Sequence, residues 1–252
     1  MKQFLEFCAA RGGSLLGTWL KLPTLATVEM LGRAGFDFLV IDMEHAPHSL
    51  DQVYQFIFAT QASGMAALVR LPDHSGSDIQ RLLDSGADGL LAPRMTSVET
   101  AERLTRQMVF SPKGERGLGT TSRAGSWGQT PMADYLKRGD EQCLRMVQLE
   151  SWDTVTAVED YLAIPTVNGV FVGHGDLYLS SGKPSSAPEV RELTQRVAAA
   201  ARSAGKLSGA AAATPEEARI YTEMGYSLVM VSNDATIFAK AAAAAVAEAR
   251  AK

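Results

Sequence analysis

The 252-residue chain is poor in cysteine: Cys8 and Cys143 are its only two, far apart and outside any C-x-x-C spacing. That excludes a disulfide framework and a cysteine-based zinc site, and it predicts a reduced, cytoplasmic setting. Positive charge is not in excess either. Lys and Arg number 24 against 28 Asp and Glu, for a formal net charge of −4. Without a basic cluster, a nucleic-acid surface is not expected. No uncharged apolar run approaches the ~20 residues of a membrane span, and the alanine-rich Ala241–Val246 is too short to insert. The start, Met1-Lys2-Gln3-Phe4-Leu5-Glu6, carries charges where a secretion signal needs an apolar core. There is no internal repeat, no low-complexity linker and no glycine-rich dinucleotide turn before the first helix.

What is present is an alternation of short buried strands and amphipathic helices. Strands are predicted at Gly17–Lys21, Phe36–Ile41, Ala66–Arg70, Gly89–Pro93, Leu144–Leu149, Gly169–Val172, Lys206–Ala210 and Ser227–Ser232. The intervening helices are Thr24–Ala34, Leu50–Gly64, Ser77–Ser85, Val98–Met108, Trp152–Leu162, Glu189–Ser203, Pro215–Met224 and Ala235–Ala251. Eight strand-then-helix units predict an α/β fold, a single (β/α)8 TIM barrel over residues 1–252. The alternative, an open doubly wound sheet, lacks a marker of a second domain. Glycines 35, 64, 86, 169, 205 and 225 fall near strand starts and are expected to end the preceding helices. Phe110–Asp140, with five glycines between Gly114 and Gly128, is too long for a plain connection and is expected to be functional or an interface.

In parallel α/β folds chemistry collects at the carboxyl ends of the strands. The strongest signal there is Phe36–Ile41 breaking into Asp42-Met43-Glu44-His45-Ala46-Pro47. Trp19 lies near the end of strand one, Arg70 ends strand three, Gln148 and Glu150 end strand five, Gly173-His174-Gly175-Asp176 follows strand six, and Ser208 is expected near the end of strand seven. Glu150 and Asp176, on adjacent strand ends, would repel unless a cation or a shared proton relieved them. Two carboxylates with water at the remaining positions suit Mg²⁺, Mn²⁺ or Co²⁺ better than structural zinc, with Zn²⁺ as an option; the bland reading is that each caps its following helix. His45 is the natural general base, because the ordinary histidine pKa lies near neutrality; the bland reading is a loop-bridging histidine. His48 and His74 read as solvent-facing. Arg70 would stabilise a developing oxyanion, or simply pair with a carboxylate at the mouth.

Together these residues resemble the metal-dependent (class II) pyruvate aldolase family, which includes the 4-hydroxy-2-oxoheptanedioate and 2-dehydro-3-deoxyglucarate aldolases. The resemblance runs in order through Gly35–Phe38 and Asp42–Pro47, Val69-Arg70, Leu82–Gly86, Arg116–Gly119, Val147–Ser151 and Gly169–Gly173. It implies that Glu150 and Asp176 hold the metal, that His45 acts as acid/base, and that Arg70 contacts the keto oxygen. It also implies that Asp84 from a neighbouring subunit tunes His45, and that Asp42 and Gln148 stand beside the metal or its waters, with Glu44 next to them. Amides around Gly173, His174, Gly175 and Asp176 would bind the pyruvate carboxylate, with Trp19 and Gln148 lining the substrate. The family implies a homohexamer, a dimer of trimers, with the C-terminal helix packed on a neighbour. Gly173-His174-Gly175-Asp176-Leu177 departs from the family's Gly-Pro-Ala/Ser-Asp-Leu, as Val231-Ser232-Asn233-Asp234 does from its Gly-Ser-Asp. The expected reaction is reversible cleavage of a 4-hydroxy-2-oxo acid to pyruvate, or hydroxypyruvate, and an aldehyde. The rivals are a Schiff-base aldolase using Lys21, an acyl-CoA lyase on a related barrel, and a non-catalytic binding scaffold.

Overall fold

The computed structural model describes residues 4–251. Eight parallel strands close into a barrel in sequence order: β1 (Leu15–Leu20), β2 (Phe38–Asp42), β3 (Ala66–Arg70), β4 (Gly89–Ala92), β5 (Leu144–Leu149), β6 (Gly169–Val172), β7 (Leu207–Ala212) and β8 (Leu228–Asn233). The first helix, α1 (Phe4–Arg11), precedes the barrel. Around it run α2 (Leu25–Ala34), α3 (Leu50–Ala62), α4 (Ile79–Asp84), α5 (Val98–Arg106), α6 (Met132–Gln142), α7 (Trp152–Thr156) and α8 (Val158–Leu162). The chain ends with α9 (His174–Ser181), α10 (Pro188–Ser203), α11 (Pro215–Met224) and α12 (Asp234–Arg250).

β2 to β6 are buried on both faces throughout, as parallel strands under helices must be, while β1, β7 and β8 carry some partly exposed residues. Alternate residues serve two separate apolar zones. Phe38 and Val40, Ala66 and Leu68, and Leu144 and Met146 fill the barrel interior. Leu39 and Ile41, Ala67 and Val69, and Val147 and Leu149 pack outward against the helices. This parity places the site. Asp42, Arg70 and Gln148 each stand two residues beyond an interior side chain, so all three project into the barrel at its carboxyl end. Gly17 makes room for the interior: a Cβ there would lie 2.4 Å from the Phe38 ring.

Several expectations change. The chain before the first strand is not a plain lead: α1 sends Phe4, fully buried, into the interior cluster. The predicted helix Trp152–Leu162 divides at Ala157 into α7 and α8. Gly35, Gly64, Gly86, Gly205 and Gly225 do take positive φ after helices. Gly169 does not; it opens β6, where a Cβ would press on the Met146 side chain at 2.7 Å. Ser208 is the second residue of β7, paired with Val170, and so sits toward the far end of the barrel from the mouth. The glycine-rich segment holds a 3-10 turn, Arg123–Gly128, and then α6.

Candidate active site

Asp42 is the hub of the site. It is fully buried, ends β2 and is paired in register with Arg70. The Arg70 guanidinium grips it in a two-point fork, Nε donating to Oδ1 at 2.9 Å and Nη2 to Oδ2 at 2.7 Å. The Lys21 ammonium lies 2.8 Å from Oδ2. Oδ1 also accepts the backbone N–H groups of Glu44 and His45, at 3.1 and 3.2 Å. Burial pushes the Asp42 carboxyl up, but the bonds and charges of Arg70 and Lys21 outweigh it and hold the group down at about 2. Asp42 therefore orders three things: the Arg70 fork, the Lys21 loop and the turn that carries His45.

The supports around this hub follow from the strand ends. The Arg70 guanidinium lies 4.1 Å over the Trp19 ring, which meets Phe171 edge-on. Arg70 Nη1 is 2.9 Å from Glu44 Oε2, and Arg94 Nε is 2.9 Å from Glu44 Oε1. His45 Nε2 stands 3.7 Å from Glu44 Oε2, with its side chain more than half exposed. Asp234, buried at the start of α12, accepts the N–H groups of Lys21 and Leu22, both at 2.9 Å, and so pins the turn after β1. Lys21 and Arg94 join this network without a sequence pattern that marks them as part of it. Lys21 stood out only as a nucleophile for a rival chemistry, and Arg94 follows Pro93 with no other ionisable residue beside it.

Glu150 forms the opposite wall. It is buried, and Gln148 Nε2 donates to its Oε2 at 2.5 Å. Its Oε1 and the Gln148 Oε1 are buried acceptors without a hydrogen-bond partner among the described residues. Burial, and then the nearby Asp176 charge, push the Glu150 carboxyl up to about 7. Gly173 closes this wall: a Cβ there would lie 2.6 Å from Glu150 Oε2. Asp176 is exposed in the first turn of α9, a helix that the Gly173-His174-Gly175 run does not announce. The amides of His174, Gly175 and Asp176 fall at its first three positions, where an α-helix leaves N–H groups without internal partners.

A divalent cation fits this wall. Among the described residues no three His, Cys, Asp or Glu side chains come together as a metal cage. Glu150 and Asp176, with the orphaned Gln148 oxygen, instead offer an oxygen-rich, incomplete donor set. That pattern suits a cation whose remaining positions go to water and substrate.

Other expected residues lie elsewhere. The His174 ring, on this wall's helix, hydrogen-bonds Thr194 Oγ1 through Nε2 at 3.1 Å and stacks on Tyr221 at 4.9 Å. Burial pushes it down to about 4, so it is a neutral ring packed against α10 and α11. Asp84, at the end of α4, accepts from Gln80 Nε2 at 2.7 Å and pairs with Arg116 at 3.4 Å, away from His45 of its own chain. His48 is buried rather than solvent-facing: its Nε2 lies 3.2 Å from the Leu20 carbonyl, and its ring meets Phe56. His74 is half-buried and held 2.7 Å from the Pro93 carbonyl.

The fold and site define a closed parallel (β/α)8 barrel with carboxylates and an arginine-centred network at its carboxyl end, and comparison with known proteins supplies its class. The family description HpcH/HpaI aldolase/citrate lyase matches residues 15–244. The 5-keto-4-deoxy-D-glucarate aldolase of Klebsiella pneumoniae is 35% identical over 90% of this chain and 88% of its own length. An HpcH/HpaI aldolase/citrate lyase family protein from Burkholderia cenocepacia J2315 superposes with a TM-score of 0.85 at 35% identity, over 95% of both chains. An HpcH/HpaI aldolase from Desulfitobacterium hafniense DCB-2 does so with a TM-score of 0.91 at 27% identity, over 99% of this chain and 97% of its own. The chain belongs to the HpcH/HpaI aldolase/citrate lyase family and is an aldolase, a carbon–carbon lyase.

Proposed function

We propose that the protein is a divalent-metal-dependent (class II) aldolase that reversibly cleaves a 4-hydroxy-2-oxo acid to pyruvate, or hydroxypyruvate, and an aldehyde. The observation that carries this reading is the Glu150 wall, where a buried carboxylate with an unpartnered oxygen, next to Asp176, faces the Arg70 network across the barrel mouth. Glu150 and Asp176 would hold the cation, Mg²⁺, Mn²⁺ or Co²⁺, with Zn²⁺ a further candidate. When bound, such a cation supplies Lewis-acid polarisation of the 2-oxo group.

The chain's own residues do the rest. The helix-start amides of His174, Gly175 and Asp176 receive the substrate carboxylate. His45, accessible and ordered by the Asp42 turn, accepts the proton of the C4 hydroxyl. The C4–O electrons form the aldehyde carbonyl as the C3–C4 bond breaks, and that bond's pair passes into the C2–C3 enolate. Arg70, a cation held rigidly by Asp42, stabilises the negative oxygen at C2. A proton delivered to C3 completes pyruvate. Trp19 and Gln148 wall the substrate, while Asp42 and Glu44 keep the cations in place. Asp84 would act on His45 of a neighbouring subunit in a homohexamer built as a dimer of trimers; the exposed Ile237 and Phe238 of α12 fit burial against another copy. The two free cysteines fit a cytoplasmic setting. Among the described residues no helix is long and apolar enough to cross a membrane.

The Schiff-base reading fares worse. Lys21 holds Asp42 at 2.8 Å, so forming an imine would strip the hub of a partner. The test is pyruvate release from a racemic 4-hydroxy-2-oxo acid, followed with a coupled NADH assay. Release that EDTA abolishes and Mn²⁺ restores supports the proposal. Release indifferent to chelation, with borohydride trapping of pyruvate on Lys21, would replace it.

A further inference from the structure

The barrel mouth is electrically divided. One side carries the carboxylates of Glu150 and Asp176. The other carries three cations, Lys21, Arg70 and Arg94, against two carboxylates, Asp42 and Glu44, leaving one positive charge in surplus. Pairing shows where that surplus lies. Lys21 is taken by Asp42. Arg70 is only 6% exposed and commits Nε and Nη2 to Asp42, Nη1 to Glu44 and its face to Trp19. Arg94 uses Nε alone, on a Glu44 carboxylate that Arg70 already compensates, and its side chain is 59% exposed. Its Nη1 and Nη2 make no hydrogen bond among the described residues. Asp73 also feels the Arg94 charge, but it is exposed and bonded to the Ser75 N–H.

The backbone points the same way. Arg94 has φ 46°, a left-handed conformation unfavourable for a residue with a side chain. Such strain collects at functional sites. Glu44 lies between the two groups that matter here: 3.7 Å from His45 Nε2 on one side and 2.9 Å from Arg94 Nε on the other. His45 and the Arg94 guanidinium thus flank one carboxylate at the barrel mouth.

We propose that Arg94 is a specificity-determining residue that receives a carboxylate on the aldehyde half of the substrate, so that the favoured aldehydes are anionic. A planar guanidinium with two free amino groups matches a carboxylate in two-point geometry. This inference rests on the aldol reading above.

The test is condensation of pyruvate with matched aldehydes of two lengths: glyoxylate against glycolaldehyde, and 4-oxobutanoate against butanal. It compares wild type with Arg94→Met, Arg94→Gly and Arg94→Lys. Arg94→Gly removes the guanidinium while relaxing the positive φ, so a shared effect of the Met and Gly variants is not a folding defect. The quantity read is the ratio of kcat/KM for the anionic aldehyde to that for its neutral mate, in which a general loss cancels. The expected result is a ~10–100-fold fall in that ratio for Met and Gly in at least one pair, carried by KM, with part of it kept by Lys. A ratio within about twofold of wild type at both lengths, in a wild type that condenses both kinds, overturns the role of Arg94 alone. A wild type that condenses pyruvate with none of the four, and exchanges no pyruvate methyl protons, overturns the aldol reading and this inference together.

Discussion

Replacing Glu150 with glutamine tests whether the carboxylate wall is built for a cation rather than for stability. In the metal-free protein, burial and Asp176 push this carboxyl from 4.5 up to about 7. Between those pH values the folded chain holds a proton that the unfolded chain has lost. The stability tied to that proton is fully present below about pH 4.5 and lost as pH rises through about 7. At ~1.4 kcal/mol per tenfold in proton affinity, the ceiling on that loss is ~3 kcal/mol. Solvent reaching the open mouth screens it to ~1–2 kcal/mol. Glu150→Gln keeps an acceptor for the Gln148 amide but never ionises. With EDTA at pH 8.5 it should therefore melt ~2–8 °C above wild type, taking ~2–4 °C per kcal/mol for a chain of this size. At pH 5 the difference should shrink toward zero. Adding Mn²⁺ at pH 8.5 should raise the melting temperature of wild type and leave the variant unmoved, reversing the order. A variant less stable than wild type at pH 8.5 without metal, or equally stabilised by Mn²⁺, would refute this account of the wall.

The other perturbations follow from the same geometry. Arg70→Ala removes the oxyanion partner and should lower kcat ~10²–10³-fold in the coupled pyruvate assay; unchanged turnover would remove Arg70 from the chemistry. Asp42→Asn removes the charge gripped by the buried Arg70 fork, leaving it Glu44 alone, and should cost ~3–5 kcal/mol in urea denaturation at pH 7. Because the Asp42 carboxyl sits near 2, its contribution is present above about pH 3.8 and lost only as pH falls toward 2. Gly173→Ala drives a Cβ into Glu150 Oε2, so Mn²⁺ affinity, read by paramagnetic resonance of the free ion, should fall ~10-fold or more, while helical circular dichroism is retained.

Much of this arrangement was legible because a closed parallel barrel converts order along the chain into position around a ring. Eight apolar runs, each followed by a helical pattern, specify both the strands and the end at which Asp42, Arg70, Gln148 and Glu150 gather. The pairing of those residues was not legible. A strand buried on both faces shows no alternation, so nothing in Ala66–Val69 reveals that Arg70 shares the interior face with Asp42. Arg94 escaped notice because its importance lies in a backbone conformation and one ion pair, neither of which has a sequence pattern. α9 was hidden by Gly173 and Gly175, which read as loop. His174 precedes Asp176 by two residues, but the helix turns its ring outward to Thr194 and Tyr221. His48 looked like a polar loop residue, yet Phe56 and the Leu20 carbonyl give it a buried partner set.

The proposed function requires that pyruvate lose a methyl proton at this mouth with help from a cation held by Glu150 and Asp176. Deuterium exchange into the methyl group of pyruvate in D₂O, followed by NMR, tests it without any aldehyde. The expected result is exchange that EDTA abolishes, that Mn²⁺ or Mg²⁺ restores, and that Glu150→Gln loses. Exchange that persists after thorough metal removal, or that survives in Glu150→Gln, would contradict it.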